Sequence, residues 1–147
     1  MNAPAATLKA TLYSDGGARG NPGPAGAGAI LTAEDGRPLA QISQYLGTAT
    51  NNVAEYRALI LGLEAACAQR VGDLTVCLDS ELVVRQLNGA YRVKDPKMLP
   101  LHAQVRRLFA RFERVSVAHI PRERNKDADK LVNAAIDGYL AAQPQTG

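Results

Sequence analysis

No stretch of this 147-residue chain approaches the run of about 18 apolar residues that a membrane-spanning helix needs, although 46% of its residues are apolar. A membrane span is therefore not expected. Residues 1–7 have neither the basic flank nor the long apolar segment of a secretory signal, so the expected location is the cytoplasm. Cysteine is scarce. Cys67 and Cys77 fall in apolar surroundings, with neither a CxxC pair nor a nearby histidine, which excludes a His/Cys zinc site and leaves buried free thiols as the expectation. Repeats, low-complexity tracts and interdomain linkers are also missing. At this length one domain with a proper hydrophobic core fits and two ordinary ones do not. Residues 1–147 are thus expected to form a single domain, with 1–7 and 141–147 flexible.

Charge is present but unevenly placed. The formal net charge is +3, yet residues 85–130 hold 12 Lys or Arg against 5 Asp or Glu. Such a stretch suits a polyanionic partner, and equally an ordinary solvated surface.

Hydrophobic periodicity divides the chain into short elements. Residues 8–14 alternate and read as a strand, 25–32 as a small-residue strand and 38–46 as a third, with Glu34-Asp35-Gly36-Arg37 as the turn between the last two. From Asn51 the period becomes helical through Ala54, Leu59, Leu63 and Ala66, until Val71-Gly72 stops it. Residues 73–79 read as a strand, 81–87 as a short helix closed by Asn88-Gly89, and 101–112 as another helix, with Pro96 and Pro100 in the linker before it. A last strand at 115–120 precedes a helix at 125–140, whose apolar face carries Val132, Ile136 and Leu140. This order predicts an α/β fold: a five-stranded mixed sheet, made of an antiparallel meander of three strands plus two parallel strands, flanked by helices.

Carboxylates sit at telling places in that pattern. Asp15 closes the first strand and Asp79 the fourth, and crossover strands usually lie side by side. Glu55 shares a helical face with Leu59, Leu63 and Ala66, and Asp129 shares one with Val132 and Ile136, so both lie on stripes expected to face the sheet. Each acid alone has a plain structural alternative: a turn at Asp15-Gly16-Gly17, a helix cap at Asp79-Ser80, and complementation of a helix dipole at Glu55 and Asp129. Jointly they suggest a cation site. Oxygen donors of this kind suit Mg²⁺ or Mn²⁺ rather than zinc.

The motifs around these acids are specific. They read Tyr13-Ser14-Asp15-Gly16-Gly17-Ala18-Arg19-Gly20-Asn21-Pro22-Gly23-Pro24-Ala25-Gly26, Thr50-Asn51-Asn52-Val53-Ala54-Glu55-Tyr56-Arg57-Ala58-Leu59, Leu78-Asp79-Ser80-Glu81-Leu82-Val83-Val84, and His119-Ile120-Pro121-Arg122-Glu123-Arg124-Asn125-Lys126-Asp127-Ala128-Asp129. In this order, over about residues 8–140, they resemble the type 1 ribonucleases H. The resemblance implies a ribonuclease H-like fold and an endonuclease that cuts the RNA strand of RNA/DNA hybrids, leaving 5′-phosphate and 3′-hydroxyl ends. It makes Asp15, Glu55, Asp79 and Asp129 the catalytic acids that hold two Mg²⁺ ions, with Mn²⁺ as a substitute. His119 or Arg122 is implied as an assisting catalytic residue; a strand position facing the core or a neighbouring helix for His119, and an ion pair with Glu123 or Glu113 for Arg122, are the structural alternatives.

Substrate-binding residues implied by the resemblance are Gly16, Asn21, Asn51, Asn52 and Glu81, with Thr50 and Arg19 as candidate phosphate contacts. Asparagines suit the minor groove of a hybrid, and glycine lets the backbone approach a 2′-hydroxyl. Helix capping is the alternative use of Asn51 or Asn52. Tryptophan is absent, and residues 87–101 are too short for the extra helix and basic handle of many relatives. Arg92, Lys94, Lys97, Arg106, Arg107 and Arg111 are the basic residues that could compensate. Glu81 stands where many relatives have Gln. Competing classes are a non-catalytic hybrid-binding module, a DNA resolvase or exonuclease of the same superfamily, and a sugar kinase, whose second half does not fit this length. A monomer is the default assembly.

Overall fold

A computed structural model of the chain describes residues 7–143. Its strands are β1 (Lys9–Ala18), β2 (Gly23–Ala33), β3 (Pro38–Ala49), β4 (Asp73–Leu78) and β5 (Arg114–His119). Its helices are α1 (Asn51–Ala68), α2 (Glu81–Leu87), α3 (Leu99–Phe109) and α4 (Lys126–Ala142), the last preceded by a single 3₁₀ turn at Arg122–Arg124. The sheet order is β3-β2-β1-β4-β5. β1, β2 and β3 pair antiparallel, while β4 pairs parallel with β1 and with β5, as the crossover argument requires. Residues 1–6 and 144–147, expected to be flexible ends, lie outside the described residues; of the expected tail, Ala141 and Ala142 belong to α4.

The alternation in β1 buries Ala10, Leu12 and Ser14, and the first two pack in one core with Leu59 and Leu63 of α1 and Leu74 and Val76 of β4. The small-residue character of β2 now has a cause. Both of its faces are covered, with Ala25 and Ala27 packing against Ala54 and Ala58 of α1, while Gly26 and Gly28 lie under α4.

Several boundaries differ from the sequence expectation. β1 does not stop at Ser14 but runs through Asp15-Gly16-Gly17 to Ala18, because β2 continues to pair with it after β4 has ended. Pro100 is not linker: it occupies the first turn of α3, where its missing N–H costs nothing. α3 also ends at Phe109, earlier than expected. α1 is closed before Val71-Gly72 by Arg70, whose φ of 60° is left-handed, with Val71 N–H donating to Ala66 O at 3.1 Å. α2 uses Gly89 for the same purpose, as the Asn88-Gly89 pair suggested. The thiols are free, Cys77 buried and Cys67 only half-buried.

Candidate active site

Two strands and two helices bring the acids together. The β1–β4 ladder ends at Tyr13 opposite Cys77, so continuing that register by two residues places Asp15 level with Asp79. Asp15, Glu55 and Asp79 line one small cleft with Ser14, Leu78, Ser80 and Val83.

Glycines set the helices at the required height. A Cβ on Gly16 would lie 2.1 Å from Ala54 O, so only glycine allows the start of α1 to sit directly on β1, with Glu55 the next residue along. A Cβ on Gly28 would lie 2.2 Å from Ala128 O, and Asp129 is the next residue along α4. Gly28 is the β2 partner of Asp15 itself. Both helices therefore rest on glycines beside the first acid. Gly16 was expected to open the backbone to a ligand, but the space of its missing side chain is filled by α1. The importance of Gly28 was missed, although a glycine inside a strand is a signal of close backbone approach.

The electrostatics of the cleft are unfavourable as they stand. Burial, followed by the charges of Asp79, Asp129 and Glu55, pushes the Asp15 carboxyl up to about 8. Burial also raises Glu55 to about 7, with Asp79 adding to the effect while the Ser80 hydroxyl and the Arg122 charge oppose it. Glu55 Oε2 is buried with no hydrogen-bond partner. Buried carboxylates in this condition call for a proton or a cation. Among the described residues no three acids form a finished coordination cage: Asp15, Glu55 and Asp79 line the cleft, and Asp129 stands outside its lining but close enough to act on Asp15.

Asn125 was not singled out from the sequence. It is 1% exposed and stands at the N-cap position of α4, yet its side chain does not cap the helix. Instead its Nδ2 donates to Asp79 Oδ2 at 2.8 Å and to Ser14 O at 3.0 Å, tying the fourth-strand acid to β1. An asparagine before a helix reads as a cap, which hid this use.

The remaining candidates divide. His119 is exposed at the end of β5, with Nε2 3.2 Å from Asp79 O, so the core-facing alternative does not hold. Arg122 is exposed and close enough for its charge to act on Glu55; among the described residues it forms no ion pair with Glu113 or Glu123. Thr50, not Asn51 or Asn52, caps α1, its Oγ accepting from Val53 N–H at 3.2 Å. Asn51 Oδ1 accepts from Ala18 N–H at 2.8 Å, and Asn21 Oδ1 accepts from Asn51 N–H at 3.0 Å. Asn52 is exposed. Glu81 pairs with Arg85 at 2.7 Å one turn along α2, and it does not line the cleft. Arg19, a candidate phosphate contact, is engaged by Asp137 at 2.6 Å and by Asn133. Arg106 donates to Leu87 O at 2.6 Å and so braces α3 against α2. Residues 88–98 between those helices carry no helix, in keeping with the absent handle.

The sheet order and helix placement are those of a ribonuclease H-like fold, and comparison with known proteins agrees. A family described as "Reverse transcriptase-like" matches residues 13–135. The chain is 47% identical over 131 residues to the bifunctional protein Rv2228c of Mycobacterium tuberculosis, covering 88% of this chain and 36% of that protein. Its identity to the ribonuclease HI of Halobacterium salinarum is 44% over 125 residues, or 85% of this chain and 63% of that protein. The crystal structure of RNase H1 from that archaeon aligns with a TM-score of 0.86 at 42% identity, covering 88% and 98% of the two chains. LC11-RNase H1 in complex with an RNA/DNA hybrid aligns with a TM-score of 0.85 at 45% identity, covering 89% and 99%. This chain belongs to the type 1 ribonuclease H family. It spans about a third of the mycobacterial relative's length and under two thirds of the archaeal one's.

Proposed function

We propose that this domain hydrolyses the RNA strand of RNA/DNA hybrids, using two divalent ions held by Asp15, Glu55, Asp79 and Asp129 and leaving 5′-phosphate and 3′-hydroxyl ends. The observation that carries the reading is that Asp15, Glu55 and Asp79 line one cleft with Asp129 beside Asp15, and that burial, with the charge of neighbouring acids, holds Asp15 and Glu55 far above the usual carboxylate range. All four are hard oxygen donors, which suits Mg²⁺, with Mn²⁺ as a substitute, and the orphaned Glu55 Oε2 is a ready ligand atom. Bound there, the ions would supply an activated water and stabilise the leaving oxygen, so the protein needs no nucleophile of its own.

The chain's own residues then have definable tasks. Asn125 holds Asp79 Oδ2, leaving Asp79 Oδ1 free to turn into the cleft. Arg122 lends positive charge beside Glu55, and the exposed His119 imidazole stands next to Asp79 where it can accept or release a proton. Asn21 and Asn51 each spend the amide oxygen on a backbone N–H, so what they offer a ligand is the NH₂ donor. Donors suit the minor-groove acceptors and 2′-hydroxyls of a hybrid. Every acid comes from one chain, so the site needs no second copy, and among the described residues no helix is long and apolar enough to cross a membrane.

The test is cleavage of one end-labelled sequence presented as RNA/DNA, RNA/RNA, DNA/DNA and single-stranded RNA, with Mg²⁺, Mn²⁺ or EDTA. Cutting confined to the RNA of the hybrid, and lost with EDTA or Asp15→Asn, is the expected result. Binding without cutting by folded wild type would replace this reading with a hybrid-binding module, and cutting of DNA/DNA with a DNA nuclease.

A further inference from the structure

Asp129 is the one exposed member of the four acids, standing in the first turn of α4 with its carboxyl beside that of Asp15. An exposed carboxylate has free rotamers, so a well-placed ligand there needs something to hold it. Asn133, one turn further along, supplies a hold: its Nδ2 donates to Asp129 O at 3.1 Å and approaches Asp129 Oδ2 at 3.4 Å. The amide is fixed in turn, because Asn133 Oδ1 accepts from Arg19 Nη2 at 3.2 Å. A flipped amide would set its NH₂ against the guanidinium. Arg19 is itself anchored by Asp137, with Nη1 2.6 Å from Oδ1.

The spacing makes this a rack. Asp129, Asn133 and Asp137 follow one another at intervals of four along a single face of α4. Arg19 comes directly after the last residue of β1, the strand that carries Asp15. One guanidinium thus links the strand that carries the buried Asp15 to the helix that carries the exposed Asp129. The ion pair is solvent-exposed on both sides, with side-chain exposures of 39% and 65%, and such pairs add little to stability. Its value lies in orientation.

We propose that Asn133 and Arg19 are positioning residues that fix the Asp129 carboxylate for the divalent ion it holds. This rests on the two-ion reading above. With Oδ2 steered by the amide, Oδ1 would be the oxygen left for the ion, and Arg19, paired with Asp137 and Asn133, would act through α4 rather than on a phosphate. Partners of this kind behind a metal ligand typically change metal affinity or activity by about 10–100-fold when removed.

The experiment titrates Mn²⁺ calorimetrically, without nucleic acid, into wild type, Asn133→Ala, Arg19→Ala, the double variant and Asp129→Asn. Mg²⁺ dependence of hybrid cleavage and the hybrid KM are measured in parallel. Expected is a weakening of metal binding by about tenfold in Asn133→Ala, at the low end of that range. The Mg²⁺ midpoint for cleavage moves with it and the hybrid KM does not. Arg19→Ala moves the same way by less, and the double variant no further than Asn133→Ala. Arg19→Ala removes only an exposed side chain, so it carries the test if Asn133→Ala melts early. Weakened titration in Asp129→Asn but not in the two positioning variants would overturn the proposal alone. A wild-type titration in Asp129→Asn would remove the metal role of Asp129 and the proposal with it. A raised KM with unchanged metal titration would make Arg19 and Asn133 hybrid contacts instead.

Discussion

On α1 the carbonyl of Ala54 lies over Gly16 and the next residue is Glu55; on α4 the carbonyl of Ala128 lies over Gly28 and the next residue is Asp129. The two helices deliver their acids by the same device, yet Glu55 ends with a buried, unpartnered oxygen and Asp129 ends exposed. The difference follows from what surrounds each helix start. α1 is covered by α2 and the end of β4, whose Ser80 and Val83 close over Glu55, whereas the start of α4 follows a surface turn. Burial therefore sets the electrostatic demand for a cation at one side of the cleft, and hydrogen bonds set the geometry at the other. Helix docking on glycine supplies proximity to both.

Removing the acids one at a time should separate these roles. Asp15→Asn and Glu55→Gln are each expected to lower cleavage of the hybrid by on the order of 10²–10³-fold, the scale of losing one electrostatic stabiliser of a transition state. The same Glu55→Gln protein, free of metal at pH 8, should be more stable than wild type by a few kcal/mol, since it no longer ionises a buried group raised to about 7. Asp129→Asn should stabilise the metal-free protein less than Glu55→Gln does, because its carboxylate is exposed and only its charge on Asp15 is lost. Denaturant unfolding of both variants checks the contrast; equal stability effects would break it.

The docking device can be attacked directly. Gly16→Ala and Gly28→Ala each force a Cβ onto a helix carbonyl, and overpacking of this sort costs about 1–3 kcal/mol. Each should also depress activity by displacing the acid that follows. Gly36→Ala serves as the comparison: its turn carries a positive φ but has nothing within 4 Å of the new methyl, so it costs stability without touching activity. Melting curves and cleavage rates of the three proteins decide the point.

Titration sharpens the comparison further. Asp15 and Glu55 ionise from ordinary values of 3.8 and 4.5 in the unfolded chain but hold their protons up to about 8 and 7 when folded. Between those limits the folded state binds more protons. The stability they contribute is thus complete below about pH 4 and is lost as pH rises through 7 to 8, by up to about 1.4 kcal/mol per pH unit for each group. Metal-free protein should show that decline in urea melts at successive pH values, and Asp15→Asn should show less of it.

The smallest effect belongs at the far end of α1, away from both acids. Arg70 closes that helix at a φ of 60°, where α2 uses glycine. Arg70→Gly should raise stability by at most about 1 kcal/mol and leave cleavage unaltered. A change in rate there would mean that the end of α1 communicates with Glu55.

Much of this site was legible in the sequence because its acids coincide with changes of period. Asp79 ends an apolar strand, and Glu55 and Asp129 open apolar helical stripes, so strand ends and helix faces could be read together. What escaped was information held between elements. Asp15-Gly16-Gly17 has the composition of a turn, and only the continued pairing with β2 makes it strand. Pro100 signals a break in sequence but is harmless in a first helical turn. Arg19, Asn125 and Asn133 are ordinary surface types by composition, and their partners lie 114, 46 and 4 residues away, with only the last within reach of a local pattern.

A divalent cation in the cleft would relieve the buried charge of Asp15 and Glu55. The melting temperature at pH 8 against Mg²⁺ concentration, in the absence of nucleic acid, reads this out for wild type and Glu55→Gln. The wild type should start lower and climb with Mg²⁺, while Glu55→Gln starts higher and climbs little. Parallel curves, or a wild type indifferent to Mg²⁺ throughout, would mean that no ion relieves the buried carboxylates.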